Sequence, residues 1–284
     1  MKKILLSIAA ATFAMTAFAD TTVYFSEDFE WFMPWIEANP GKIGNTIGTN
    51  DNDAKCPQMS TQKYEGKSIY ETALEKGYTF PVTHSDKNKD GKAVDAREPN
   101  AQIYVNECYL KFGLTNYYSG ITFPALEIDG TVNDAKISFD WVTMRQGSGE
   151  YDKTELVVIV ANGDDEKQFL VEPLNIEKGA EFKWYPTTVS LEGATLTKGT
   201  KITIRNIDAQ WPAQASAETG NITLRYFLDN IKVYSGDESS VAEIAVDENA
   251  PVEYYNLQGV RVANPANGLY IVKQGNKVSK QIIK

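Results

Sequence analysis

Residues 136–142 read KISFDWV. Ile137, Phe139 and Trp141 alternate with Lys136, Ser138 and Asp140. That period of two sends successive side chains to opposite faces of a half-buried β-strand and marks Trp141 as core. Further on, Leu156-Val157-Val158-Ile159-Val160 is apolar without a break, which suits a central strand buried on both faces. Short β runs occupy 101–105 and 108–112, and alternation returns over 200–207 and 222–234. Turn clusters separate the runs: Gly147-Ser148-Gly149, Asn162-Gly163-Asp164-Asp165 and Lys198-Gly199. Many short strands at this spacing predict an all-β protein built as a two-sheet sandwich.

At the N-terminus, Lys2 and Lys3 precede an apolar run over 4–18, and Ala17-Phe18-Ala19 stands before Asp20. That is the pattern of a cleaved signal peptide over 1–19, too short for a membrane anchor. No later apolar run is long enough to span a bilayer, so export without membrane insertion is expected, to the medium or the outer cell surface. Residues 20–235 are long enough for one large domain. Residues 236–250 are acidic and rich in small residues, as linkers are, and 251–284 form a separate tail.

The formal net charge is −10, and losing Lys2 and Lys3 makes it more negative. Such a surface repels phosphate backbones and anionic lipid, which argues against nucleic acid and membrane surfaces as partners. Cys56 and Cys108 are the two cysteines. In an exported chain one structural disulfide is the default expectation, with two free thiols as the alternative. His84, the single histidine, lies in the polar stretch Thr83-His84-Ser85-Asp86 and reads as a solvated loop residue. G-x-S-x-G and H-E-x-x-H are both absent, so no motif defines a reaction class.

Over 37–100 the strand period fades and Gly, Asn, Asp, Lys and Pro dominate. This insertion reads either as a loop region or as the functional decoration of the sandwich. One short helix is expected at 68–76, with Ser68 and Glu71 as a capping box and Gly77 as the stop. Asp86-x-Asn88-x-Asp90-Gly91 begins like an EF-type calcium loop. However, Arg97 takes the twelfth place, where a glutamate supplies two oxygens, so a solvated turn is expected.

The ends of the large domain carry a resemblance. It opens with Val23-Tyr24-Phe25-Ser26-Glu27-Asp28-Phe29-Glu30-Trp31 and closes with Tyr226-Phe227-Leu228-Asp229-Asn230-Ile231-Lys232-Val233-Tyr234. These segments resemble the first and last strands of jelly-roll sandwiches of the MAM, cleaved-adhesin and carbohydrate-binding-module type. The resemblance implies a jelly roll over 20–235 and a structural calcium ion held by acids at Glu27, Asp28, Glu30 and Asp229. The residues bear on this separately. Alternation through Leu224, Tyr226 and Leu228 resumes at Ile231 and Val233 one residue out of phase, which predicts a bulge at Asp229-Asn230. Calcium takes carboxylate and carbonyl oxygens together; solvated strand acids are the alternative.

The tail reads VEYYNLQGVRVANPANGLYIVKQGNKVSKQIIK from Val252 to Lys284, alternating runs broken at Gln258-Gly259, Asn267-Gly268 and Gly275-Asn276. A small antiparallel β meander is expected. Leu257-x-Gly259-x-Arg261-Val262, Gly268-Leu269-Tyr270-Ile271-Val272-Lys273 and the basic Lys277, Lys280 and Lys284 resemble the C-terminal sorting domain of proteins exported by the type IX (Por) secretion system of Bacteroidetes. The resemblance implies secretion machinery as a partner of the tail. A small β domain packed on the sandwich is the alternative.

These readings favour a secreted or cell-surface module that binds carbohydrate without catalysis. Sugar rings stack on exposed aromatics, and Trp211, Trp35, Tyr117 and Tyr118 are the candidates, with Trp211 in the polar segment 208–214 foremost. The alternative is a structural or adhesive protein that binds another surface protein. A glycosidase using Glu150, Asp152 or Glu155 is a third reading, for which the sequence supplies no carboxylate separation.

Overall fold

The computed structural model describes residues 21–44, 56–85, 87, 90, 92–207, 223–236, 252–256, 261–262, 265, 268–274 and 277–283. The expected signal peptide, Trp211, most of the expected linker and most of the EF-like stretch lie outside the described residues.

The strands of the large unit, Thr22–Gly236, are in chain order β1 (Thr22–Glu27), β2 (Lys63–Tyr64), β3 (Lys67–Ser68), β4 (Val82–His84), β5 (Ile103–Asn106), β6 (Tyr109–Phe112), β7 (Tyr117–Thr122), β8 (Thr131–Val132), β9 (Lys136–Thr143), β10 (Leu156–Asn162), β11 (Asp165–Leu170), β12 (Tyr185–Ser190), β13 (Leu196–Thr197), β14 (Lys201–Asn206) and β15 (Tyr226–Ser235). One sheet runs β12-β9-β15, with β1 beside the second half of β15 and β6, then β5, beside its first half. The other runs β11-β10-β14-β7-β4. The path β1-β15-β9-β12 over β7-β14-β10-β11, all antiparallel, is the strand order of a jelly roll.

The core lies between the sheets. Ile137, Phe139 and Trp141 of β9 point into it and are almost fully buried. Trp141 Nε1 donates to Thr187 Oγ1 at 3.0 Å, which satisfies its one polar atom. Leu156, Val158 and Val160 of β10 join the same core, and Val157 and Ile159 on the opposite face are also buried. Gly120 of β7 sits opposite Arg205 of β14, and a Cβ there would run into the Arg205 backbone.

The expected bulge is present. Pairing of β15 with β9 slips between Asp229 and Lys232, and Asn230 takes a φ of 51°. The opening strand stops at Glu27, short of Trp31. Phe29 turns to a φ of 55°, and 30–32 form a 3-10 turn that runs into helix α1 (Met33–Ala38). Helix α2 (Ile69–Glu75) carries the expected capping box. Glu71 accepts from Ser68 and Lys63, which holds its carboxyl down at about 2.

The described part of 37–100 belongs to the core. Met59, Ile69, Ala73, Tyr78 and Phe80 all pack into the main cluster. Low local periodicity there reflects short elements whose apolar side chains converge in space without repeating in sequence. His84 lies in β4, half-buried, with Nδ1 at 3.0 Å from the Ser85 carbonyl; edge strands this short leave little alternation to read.

The expected disulfide is not formed. Cys56 is buried, with Asn106 Nδ2 donating to its sulfur at 3.3 Å, and Cys108 turns to Glu30.

A smaller antiparallel sheet gathers β16 (Val252–Tyr255), β17 (Arg261–Val262), β18 (Gly268–Gln274) and β19 (Lys277–Ile283) in the order β17-β16-β18-β19. Glu253 accepts from the Tyr255 hydroxyl at 2.9 Å and pairs with Arg261 at 3.1 Å.

Candidate functional site

Two of the concave features among the described residues of the sandwich bear on function. The first is an acidic cleft on the outer face of the β9–β15 sheet. Asp229 stands opposite Asp140 across β15 and β9. Asp28 and Glu30 come from the turn after β1, and Glu107 and Cys108 form the two-residue turn between β5 and β6. Asp28, Glu30, Glu107 and Asp229 line one cleft of about 340 Å³, whose walls include Tyr109 and Trp184. Three non-glycine residues beside these acids hold left-handed backbones: Phe29, Cys108 (φ 57°) and Asn230. Such positions are sparsely populated, and the surrounding structure must hold them there.

Burial pushes the Asp229 carboxyl up to about 7, and Asp140, Asp28 and Glu30 push the same way. The Asn230 N–H, donating at 2.7 Å, opposes them. Asn230 Nδ2 donates to Asp140 at 2.8 Å. Burial and the neighbouring Glu30, Glu107 and Asp229 drive the Cys108 thiol up to about 12, so it stays protonated, 3.6 Å from Glu30 Oε2. The cleft therefore favours a proton or a cation. Among the described residues, no group of three or more His, Cys, Asp or Glu is closed into a metal-ligand set.

A carboxyl raised in the folded chain adds stability below its ordinary value, 3.8 for Asp229, and that stability is lost as pH rises through about 7. Asp229→Asn, in chelator-containing buffer, should therefore melt above the parent chain at pH near 8. The gain, on the order of a few degrees because the group is partly solvated, should shrink toward pH 4. Melting curves across that range check it; an equal gain at both ends would contradict the cause given.

Glu27 departs from the expected cation set. It is buried and turned inward, where Oε1 accepts the Phe29 N–H at 2.6 Å and Oε2 accepts Trp31 Nε1 at 3.3 Å and the Tyr78 hydroxyl. The Glu27 carboxylate and burial together hold the Tyr78 phenol well above its ordinary value. The structure thus brings Asp28, Glu30 and Asp229 together, leaves Glu27 out, and adds Glu107 and Asp140. Glu107 was hidden in a turn and Asp140 in the polar phase of 136–142.

The three named aromatics among the described residues, Trp35, Tyr117 and Tyr118, offer no open ring face. Trp35 is 6% exposed because α1 turns it into the core, and its Nε1 donates to the Lys67 carbonyl at 2.8 Å. Tyr117 and Tyr118 are buried in β7, an interior strand of its sheet; the Tyr117 hydroxyl donates to the Asp95 carbonyl at 2.8 Å. Among the described residues, Trp184 is the tryptophan that reaches a cleft. It meets Tyr109 edge-on at 5.3 Å and caps a small outer cluster of Tyr109, Val142, Met144, Tyr151 and Phe227 beneath residues 176–185.

The second feature is a groove of about 900 Å³ along the open side of the sandwich, where β11, the edge of one sheet, runs beside β12, the edge of the other. Phe169 and Leu174, which pack on the core, line it together with Leu170, 55% exposed, and Tyr185. Gln168, Asn175, Thr187, Thr188 and Ser190 supply amides and hydroxyls. Sequence reading missed this site, because a groove between two strand edges has no contiguous signature.

Among the acids considered for hydrolysis, Asp152 is fully buried against Arg225, with Nε at 2.7 Å, and Glu150 pairs with Lys178 at 3.0 Å.

No protein-family model matches the chain, and no curated protein matches it. Among solved structures, one similar chain is the CBM22-1–GH10 portion of the N-terminal endo-1,4-beta-D-xylanase 10B of Clostridium thermocellum, crystallised with xylohexaose. The identity is 9% and the TM-score 0.30, over 58% of this chain and 27% of that one. This chain thus spans about a quarter of the solved one, and a likeness that slight carries no argument about ligand or activity.

Proposed function

We propose that this protein is an exported, non-catalytic surface module that binds carbohydrate through its jelly-roll domain. The observation that carries the reading is the groove between β11 and β12. Its volume falls in the range of small-ligand sites. Apolar side chains fixed by the core alternate with amide and hydroxyl groups, the pairing that an amphipathic sugar ring requires. Two of the three acids considered for hydrolysis, Asp152 and Glu150, are engaged in ion pairs, which supports binding without bond cleavage. In the same reading the 252–284 sheet is an address for the export machinery and takes no part in the site. A glycan array probed with the full chain and with a chain ending before Val252 tests both points. Both proteins should bind the same polysaccharides; binding by neither, from folded samples, overturns the reading.

Calcium belongs to this proposal as a structural ion. Asp28, Glu30 and Asp229, with Glu107, offer the hard oxygens it takes, and the raised Asp229 carboxyl supports an unmet need for positive charge there. Bound calcium would neutralise that cluster and tie the turn after β1 to β15. Calcium at millimolar concentration should raise the melting temperature, with EDTA reversing the effect and Asp229→Asn removing it. A melting temperature indifferent to both would discard the ion and leave the carbohydrate reading intact.

A further inference from the structure

Resting on the carbohydrate reading, we infer that the groove between β11 and β12 takes the interior of a neutral, extended polysaccharide chain, and that it discriminates against acidic polymers. The first argument is charge. Among the described residues, Glu172 is the one carboxylate in the lining, and no Lys or Arg contributes to it. Lys167 of β11 is engaged away from the groove, where its Nζ donates to the Gly193 carbonyl, and Lys183, just before β12, rests its Nζ 5.1 Å over the ring of Tyr185, which lines the groove. A uronate or sulfated chain would meet that single lysine against Glu172, on a protein whose net charge is already −10.

The second argument is shape. The groove follows β12 for its six residues, about 20 Å of strand. Leu170, Glu172, Pro173, Asn175, Pro186, Thr188 and Ser190 along it are exposed. A trough open along its side admits the middle of a long chain, where an end-binding site would need a closed pocket.

The third argument is the backbone. Among the described residues, β11 pairs with β10 and β12 with β9, each on one side only. The outer edges therefore present N–H and C=O groups to the groove. A protein strand added there would need an unbroken ladder, and Pro186 has no N–H to give it. Exposed Asp165, Glu166 and Lys167 blunt the β11 edge in the same way. Sugar hydroxyls donate and accept at irregular spacing, so an interrupted row of backbone groups serves them.

The test measures binding of the full chain to a soluble neutral β-glucan, a soluble glucomannan and polygalacturonate by isothermal titration calorimetry, with Leu170→Glu and Asn175→Ala beside the parent. Leu170 and Asn175 are exposed, so both variants should keep the parent melting temperature. At least one neutral polymer should bind, polygalacturonate should bind at least about tenfold more weakly, and Leu170→Glu should lose about tenfold or more in affinity. Equal affinity for polygalacturonate overturns the neutral class. Neutral polymer bound with unchanged affinity by both variants overturns the groove while the carbohydrate reading survives. An extended Thr/Val peptide bound by the parent and lost in Leu170→Glu, with no glycan bound, assigns the groove to a protein strand and overturns both.

Discussion

Asp152→Ala is expected to lower the stability of the large domain by about 3–5 kcal/mol, on the order of 10 °C in melting temperature. The Asp152 side chain is fully buried and that of Arg225 is 15% exposed. Asp152 Oδ2 accepts Arg225 Nε at 2.7 Å and the Arg225 N–H at 3.1 Å, while Oδ1 accepts Arg225 Nη2 at 3.1 Å and Gln146 Nε2 at 2.8 Å. Arg225 leads directly into β15, the strand that pairs with β1, β6 and β9. Truncation leaves a guanidinium buried without its counter-charge, and that desolvation cost, more than the lost attraction, sets the size of the effect. A double substitution that removes both charges, Asp152→Ala with Arg225→Met, should recover much of the loss. Chemical denaturation of the three proteins checks this; a single-mutant loss below about 1 kcal/mol would place the pair among weak surface bridges.

Glu27→Ala is expected to cost about 3 kcal/mol. The carboxylate accepts from the Phe29 N–H, Trp31 Nε1 and the Tyr78 hydroxyl, all at the seam where the turn after β1 meets the segment following α2. Removing it orphans these donors together and releases the left-handed Phe29. Because Asp28 and Glu30 flank that residue, the variant should also loosen the acidic cleft and shift tryptophan fluorescence at Trp31. Retained stability with unchanged fluorescence would mean that water replaces the carboxylate without penalty.

The sequence revealed the fold where burial follows a strand's own period. The alternation at 136–142, the apolar run at 156–160 and the slip at Asp229-Asn230 each report a local geometry, and each is found in place. The capping box at Ser68 was legible for the same reason, since its bonds span three residues. The sites were less legible. Glu27 and Asp28 are neighbours where β1 ends, and they face opposite ways as successive strand residues do, so grouping both as ligands overlooked that alternation. Trp35, Tyr117 and Tyr118 were candidate platforms because aromatics at strand ends and loops can stay exposed, yet α1 and β7 carry them into the core. Phe169 and Tyr185 line a groove because β11 and β12, consecutive in the chain, join different sheets and their edges meet on the open side of a jelly roll. Closeness of that kind is fixed by topology.

The most direct test of the central claim is amide chemical-shift mapping on the full chain, titrated with an oligosaccharide of the neutral polymer that binds. Shifts concentrated at 168–175 and 185–190 are predicted, with the acidic cleft and the 252–284 sheet undisturbed. Shifts centred on any other face, or none at saturating oligosaccharide, would contradict the account.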